Sequence, residues 1–294
     1  MRGKIIKGVG GFYYVHPHDI SNDIFECKAK GIFRNQNIKP AVGDDVEIEI
    51  ISQDDRIGNI VSIYPRTNKL IRPAVANVDQ AVILFALADP KPNYNLLDRF
   101  LIMMEQQDVD TIICFNKADL VAEAEAQTVC DIYRHAGYRV FLTVANKGEG
   151  IREFQEAIHG KTSVFAGPSG VGKSSMLNAL HPAMSVQTGV ISEKIRRGKH
   201  TTRHSELIYI GEDTYIMDTP GFSSLYIEDI EPEDLKLYFR EFEGYNGRCR
   251  FHGCVHMHEP DCLVKEGVAK GEISSLRYDN YAQLYEELKN KRRW

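Results

Sequence analysis

Gly167-Pro168-Ser169-Gly170-Val171-Gly172-Lys173-Ser174 matches the phosphate-binding pattern G-x-x-x-x-G-K-[ST] at every position. Thr162 to Ala166 before it read as a short buried strand, and Ser174 to Leu180 after it as a helix ended by His181-Pro182. That is the strand, loop and helix context the motif requires. The glycines let the backbone curl until its N–H groups face phosphate oxygens, and the helix N-terminus adds partial positive charge. Lys173 is expected to hold the terminal phosphates, Ser174 to ligate magnesium, and Ser175 to complete the nucleotide-binding run. A glycine-rich turn with no ligand is the competing reading, but it needs neither the strand nor the helix.

Two further motifs name the nucleotide. Asn116-Lys117-Ala118-Asp119 follows a predicted strand, Thr111 to Phe115, and has the N-K-x-D form that reads guanine. The Asp119 carboxylate accepts the two N–H groups that guanine, and not adenine, presents side by side. Asn116 is expected to orient the base and Lys117 to pack along it. Asp218-Thr219-Pro220-Gly221, after a strand near 214–218, has the D-x-x-G form that positions magnesium and senses the γ-phosphate through the Gly221 amide.

The order of these motifs is inverted. In ordinary GTPases the phosphate loop comes first, whereas here the base reader and its partner loop, Val144-Ala145-Asn146, precede it. The domain therefore reads as circularly permuted, a change that keeps a sheet and its crevice intact when the new termini fall in surface connections. One consequence is mechanical: the chain after Gly221 is no longer tied down by a following strand, so whatever comes next must anchor it.

Working outward, residues 1 to about 65 carry short alternating segments: Ile5-Ile6, Gly11 to Val15, Ile24 to Cys27, Gly31 to Phe33, Asp45 to Ile50 and Gly58 to Ile63. Five or so strands in this length fit a small closed barrel such as an OB-fold, a frequent nucleic-acid binder. Its eight Lys and Arg against nine acids do not themselves favour RNA, so a structural cap is the alternative. From Pro65 onward, apolar runs (Gln80 to Leu87, Thr111 to Phe115, Arg139 to Val144) alternate with helices (Asn93 to Gln107, Val121 to Ala136), the pattern of a doubly wound α/β domain.

Beyond it, Cys249, Cys254 and Cys262 cluster with histidines. Three thiolates and one imidazole make a closed, structural zinc site without an open position for catalytic water. His256 is the preferred fourth ligand, with His252 and His258 as rivals. Ser274 to Arg293 reads as a helix with Leu276, Tyr281, Leu284, Tyr285 and Leu288 on one face, ending in the basic tail Lys289 to Trp294. The 294 residues, 43% hydrophobic and 26% charged with a net charge of −5, suit a soluble protein of two or three domains and give no global reason for nucleic-acid binding. The longest apolar run, Ala81 to Ala88, is far below the ~18 residues of a membrane span, and the N-terminus has no signal-like core. A cytoplasmic, membrane-free monomer is expected.

A reader, phosphate loop and D-x-x-G in permuted order, with a barrel before and Cys-x4-Cys-x-His-x5-Cys after, resemble over essentially the whole chain the RsgA family, also called YloQ or YjeQ. The resemblance implies a multidomain protein: an OB-fold barrel that binds RNA (1–65), a circularly permuted α/β P-loop GTPase domain (66–228) and a zinc-binding α domain (229–294). It implies binding of GTP and GDP, and of the small ribosomal subunit and its rRNA late in assembly, with turnover stimulated by the subunit. One departure is Val144, where many GTPases carry serine; the backbone of Val144 and Ala145 is left to contact the base. Thr201 matches the family's switch threonine and should ligate magnesium. Around it Lys194, Arg196, Arg197, Lys199 and Arg203 oppose Glu193, a local candidate for RNA phosphate contact. Phe222 stands where a water-orienting glutamine is usual, so His200 is the candidate to supply that role beside Lys173 and Thr201. Two other readings compete: a GTP-gated rRNA-binding factor in which hydrolysis is incidental, and an ATP-using P-loop enzyme.

Overall fold

The structure is a computed structural model that describes residues 1–18, 23–31, 33, 38–71, 73–181, 206–218, 225, 227 and 229–291. They divide into two compact units, Met1–Ala81 with Ile151–Phe165 and Lys173–Pro220, and Val82–Gly150 with Ala166–Gly172 and Gly221–Trp294.

In the first unit, β1 (Arg2–Val9), β2 (Phe12–Pro17), β3 (Phe25–Ala29), β4 (Asp45–Ser52) and β5 (Ile57–Ile63) close into a barrel in the order β1-β2-β3-β5-β4. All pairs are antiparallel except β3 with β5. Alternation sets which side chains enter: Phe25 and Cys27 are buried while Glu26 and Lys28 are exposed, and Val46 and Ile48 join Ile5, Val15 and Ile60 in the core. Of the segment expected at Gly31 to Phe33, the structure describes Gly31 and Phe33, and neither lies in a strand. Phe33 N–H bonds to Lys30 O, and the Phe33 side chain joins the barrel core.

After the two-residue strands β6 (Lys69–Leu70) and β7 (Val75–Ala76) come the α/β elements: β8 (Gln80–Ala86), α1 (Tyr94–Glu105), β9 (Thr111–Asn116), α2 (Glu123–His135), β10 (Arg139–Leu142), α3 (Ile151–Ile158), β11 (Thr162–Ala166), α4 (Lys173–Leu180), β12 (Leu207–Gly211) and β13 (Thr214–Asp218). Strands neighbour one another as β10-β9-β8 in one unit and as β11-β13-β12 in the other, with β12 antiparallel. β8, β9 and β11 are buried at every residue, as expected for parallel strands covered on both faces. Asn93 caps α1 by accepting from Leu96 N–H.

The C-terminal region holds 3₁₀ turns at Pro232–Tyr238 and Arg240–Phe242, then α5 (Leu263–Lys270) and α6 (Ser275–Lys291). Tyr281, Leu284, Tyr285 and Leu288 of α6 are buried as expected, but the face is rotated: Arg277 and Asn280 are buried, whereas Leu276 is only half-buried. Among the described residues no helix is long and apolar enough to cross a membrane.

Candidate nucleotide and metal sites

The phosphate loop begins where β11 ends and closes on α4. Two of its glycines are required by close approach. A Cβ on Gly167 would overlap the Leu84 carbonyl oxygen, and one on Gly172 would overlap the Asn116 amide. Val171 is buried, whereas Ser169 and Gly170 face outward and Pro168, Gly172, Lys173, Ser174 and Ser175 are half-buried.

Asn116, at the end of β9, is 1% exposed and joins three loops. Its Nδ2 donates to Val171 O of the phosphate loop at 3.0 Å, and its Oδ1 accepts from Ala145 N–H at 3.0 Å and from Thr143 Oγ1 at 3.3 Å. Sequence reasoning gave this side chain to the base; in the structure it fixes the reader, the 143–145 loop and the phosphate loop to one another. The same bond commits the Ala145 amide, and the Val144 amide bonds to Glu149 O. Lys117 takes a left-handed conformation, φ 59°, and its ammonium bonds to Asp89 O. Ala118 N–H bonds to Thr143 O, and Asp119 pairs with Lys147 at 3.0 Å.

Lys173 and Asp218 form the charged pair of the other cluster. β13 runs parallel to β11 with Asp218 opposite Phe165, which places the carboxylate at the strand end. Burial raises the Asp218 pKa and Lys173 opposes the rise; burial lowers that of Lys173, against the pull of Asp218. Asp218 Oδ1 is buried and, among the described residues, has no hydrogen-bond partner. A buried, orphaned carboxylate oxygen is what a hydrated magnesium ion would satisfy, so the donor set Ser174 and Asp218 fits that ion. His200, Thr201, Gly221, Phe222 and the basic loop lie outside the described residues.

The chain beyond Gly221 is anchored by groups that sequence reasoning did not name. Arg99 on α1 donates to Leu225 O at 3.2 Å and forks onto Glu287 of α6; Lys291, one turn along α6, donates to Ile227 O at 3.2 Å. The anchor that permutation demands therefore comes from α1 and α6 together.

Cys249, Cys254, His256 and Cys262 bring their ligand atoms within 4.8 Å of one another. The three Sγ atoms lie 3.7, 3.4 and 3.3 Å from His256 Nδ1. A tetrahedral zinc with its usual bond lengths would set sulfur and nitrogen ligands about 3.5 Å apart, so the four fit this metal. Burial pushes the His256 pKa down to about 4, which keeps the ring in its neutral, ligating form, and Nε2 meets Asn246 Oδ1 at 3.1 Å, orienting it. His252 and His258 are exposed and outside the cluster. Tyr278 Oη donates to His256 O, and Glu259 accepts from the Val255 and Met257 amides, so the ligand loop is held from outside as well.

A glycine-rich phosphate loop on a strand-to-helix turn, an N-K-x-D loop locked to it and a D-x-x-G aspartate, with the reader first in the chain, define a circularly permuted P-loop GTPase. Comparison with known proteins agrees. Residues 63–228 match the RsgA GTPase family and residues 2–60 match the RsgA N-terminal domain. The chain belongs to the RsgA GTPase family. The small ribosomal subunit biogenesis GTPase RsgA of Agathobacter rectalis is 54% identical over 100% of both chains, and that of Alkaliphilus metalliredigens is 46% identical over 100% of this chain and 99% of its own. The crystal structure of YjeQ from Thermotoga maritima superimposes with a TM-score of 0.80 at 37% identity, covering 98% of each chain. That of YloQ, described as a circularly permuted GTPase, gives 0.78 at 39% identity, covering 99% of this chain and 95% of YloQ.

Proposed function

We propose that this chain hydrolyses GTP in the assembly of the small ribosomal subunit, with turnover stimulated by the subunit itself. The observation that carries the nucleotide reading is the Asn116 lock, which builds the guanine reader and the phosphate-loop glycines as one assembly. The names of the full-length relatives supply the ribosomal setting. In this reading Lys173 neutralises the terminal phosphates, Asp119 selects guanine and the Gly221 amide senses the γ-phosphate. Ser174, Thr201 and Asp218 would hold magnesium, which would supply charge neutralisation at the phosphates. The barrel (1–65), the loop at 193–204 within a GTPase domain at 66–228 and the tail at 289–294 of a zinc domain at 229–294 contact rRNA. The protein works as a cytoplasmic monomer.

Multiple-turnover phosphate release from GTP, measured with and without purified small subunits, tests the proposal; a rate unchanged by subunits would leave a GTP-gated binder instead. Because Phe222 cannot hydrogen-bond water, His200 is assigned to hold the attacking water once the subunit is bound. His200→Ala should then raise the barrier of the stimulated reaction by roughly 2–4 kcal/mol while nucleotide affinity and subunit binding stay near wild type. Full stimulated turnover in that variant would move the role to a group of the ribosome.

A further inference from the structure

Guanine selection rests on one carboxylate, and the protein group that meets it is a lysine. Val144 is 4% exposed and carries no side-chain donor, and the Ala145 amide is committed to Asn116. Asp119 is instead met by Lys147, whose Nζ lies 3.0 Å from Oδ2. The lysine is aimed by the backbone around it. Its own N–H bonds to Val144 O at 2.9 Å, Gly148 N–H bonds to Ala145 O, and Val144 N–H bonds to Glu149 O at 3.0 Å, closing a tight turn. The preceding residue of that turn, Thr143, accepts from Ala118 N–H beside Asp119, so the two loops are in register where the ion pair forms.

A carboxylate offers about four acceptor positions, two on each oxygen. Guanine's N1–H and 2-amino group need one on each oxygen, which leaves the outer position of Oδ2 for an ammonium. We infer that Lys147 is a positioning residue for guanine recognition, clamping Asp119 through Oδ2 so that its inner edge meets both N–H groups of the base. This rests on the reading of residues 116–119 as the guanine reader.

Inosine diphosphate lacks the 2-amino group and keeps N1–H, so it isolates the second of the two bonds. The test is equilibrium binding of GDP, inosine diphosphate and ADP to the full chain at fixed ionic strength. Lys147 is exposed, so its clamp is modest: Lys147→Ala should weaken GDP about three- to five-fold and inosine diphosphate less than about two-fold, narrowing the preference between them. Lys147→Arg should restore that preference. Equal weakening of both nucleotides would mark a merely structural turn residue, and unchanged or tighter GDP binding would mark a bystander or a competitor; each overturns the inference. A wild-type chain that does not prefer GDP to inosine diphosphate and ADP would sink the underlying reader assignment instead.

Discussion

Where the barrel meets the β12–β13 hairpin, the ion pairs reach the surface around a buried hydrogen bond between His16 and Tyr215. Lys7 pairs with Glu206 at 2.9 Å, His18 lies between Asp45 and Asp213, and His16 shares a 2.8 Å hydrogen bond with Tyr215 while stacking on Tyr209. Where the metal module meets α1, the contacts are ionic too but sealed from water. Arg277 and Asp98 are 1% and 0% exposed; Arg277 forks onto Glu241 at 2.7 and 2.9 Å and bonds to Asp98, whose other oxygen accepts from Asn280. Burial disfavours the Arg277 charge, but the two carboxylates outweigh it and hold its pKa above the usual range. Exposed pairs are screened and weak, whereas a buried, fully bonded network fails only as a whole. The metal module should therefore behave as an extension of α1, and the barrel contact as one that solution conditions adjust.

The strongest test of that rigidity removes the metal. Cys254→Ser takes one thiolate from a cluster that also anchors Phe242 and Tyr281 in the local core. Zinc binding in modules of this kind is folding energy, on the order of 10 kcal/mol. Elemental analysis should show zinc lost, and hydrogen exchange should show residues beyond about 230 deprotected. Retained zinc would exclude Cys254 as a ligand.

Next in size is the buried network. Arg277→Ala leaves Asp98 buried with Asn280 as its remaining partner and removes the cation that opposes the burial-driven rise of its pKa, and should cost about 3–5 kcal/mol in urea unfolding, largely independent of salt, with Asp98→Asn in the same chain recovering part of the loss. A cost below about 1 kcal/mol would make this junction no different in kind from the barrel's, and the contrast would fail. Arg99→Ala probes the functional use of the same junction. It frees Leu225 O and Glu287 and should cost about 1–2 kcal/mol, with GTP turnover falling more than GDP affinity because the lost contacts lie beyond Gly221. Equal losses in both would show that the anchor serves stability alone.

What could be read in advance separates along the same line. The phosphate loop, the reader and the cysteine cluster were legible because their chemistry needs fixed residue types at short spacing, and the barrel because Phe25 and Cys27 alternate with Glu26 and Lys28. Arg277 and Asp98 were not. A charge in an amphipathic helix reads as solvent-facing, and the partner that reverses this lies 179 residues away in the chain. The rotated face of α6 follows from the same bond, since burying Arg277 turns Leu276 outward. Lys147 was hidden differently: only the folded turn shows that it, and not Val144, faces Asp119.

The smallest expected effect concerns His18, and it asks whether the barrel contact is adjustable at all. The Asp45 carboxylate 3.4 Å from its Nε2 raises its pKa above the usual 6.5, burial opposes this, and Asp213 adds to the rise. Burial acts on Asp45 in the opposite sense from His18 and Lys4, which together hold its pKa below the usual value. A histidine whose pKa is raised on folding contributes stability that is fully present below the unfolded value and is lost as the pH climbs through the folded one. The contact should thus be strongest in mildly acid solution and weaken on the alkaline side of about 6.5. Asp213 is 66% exposed, so screening should keep the change below about 1 kcal/mol and shrink it further in high salt. Urea unfolding of the wild type at pH 6 and pH 8.5, set against His18→Gln, would resolve it. A pH dependence that survives the substitution unchanged belongs to other groups, and one that survives high salt would mean that this junction is as sealed as the one around Arg277.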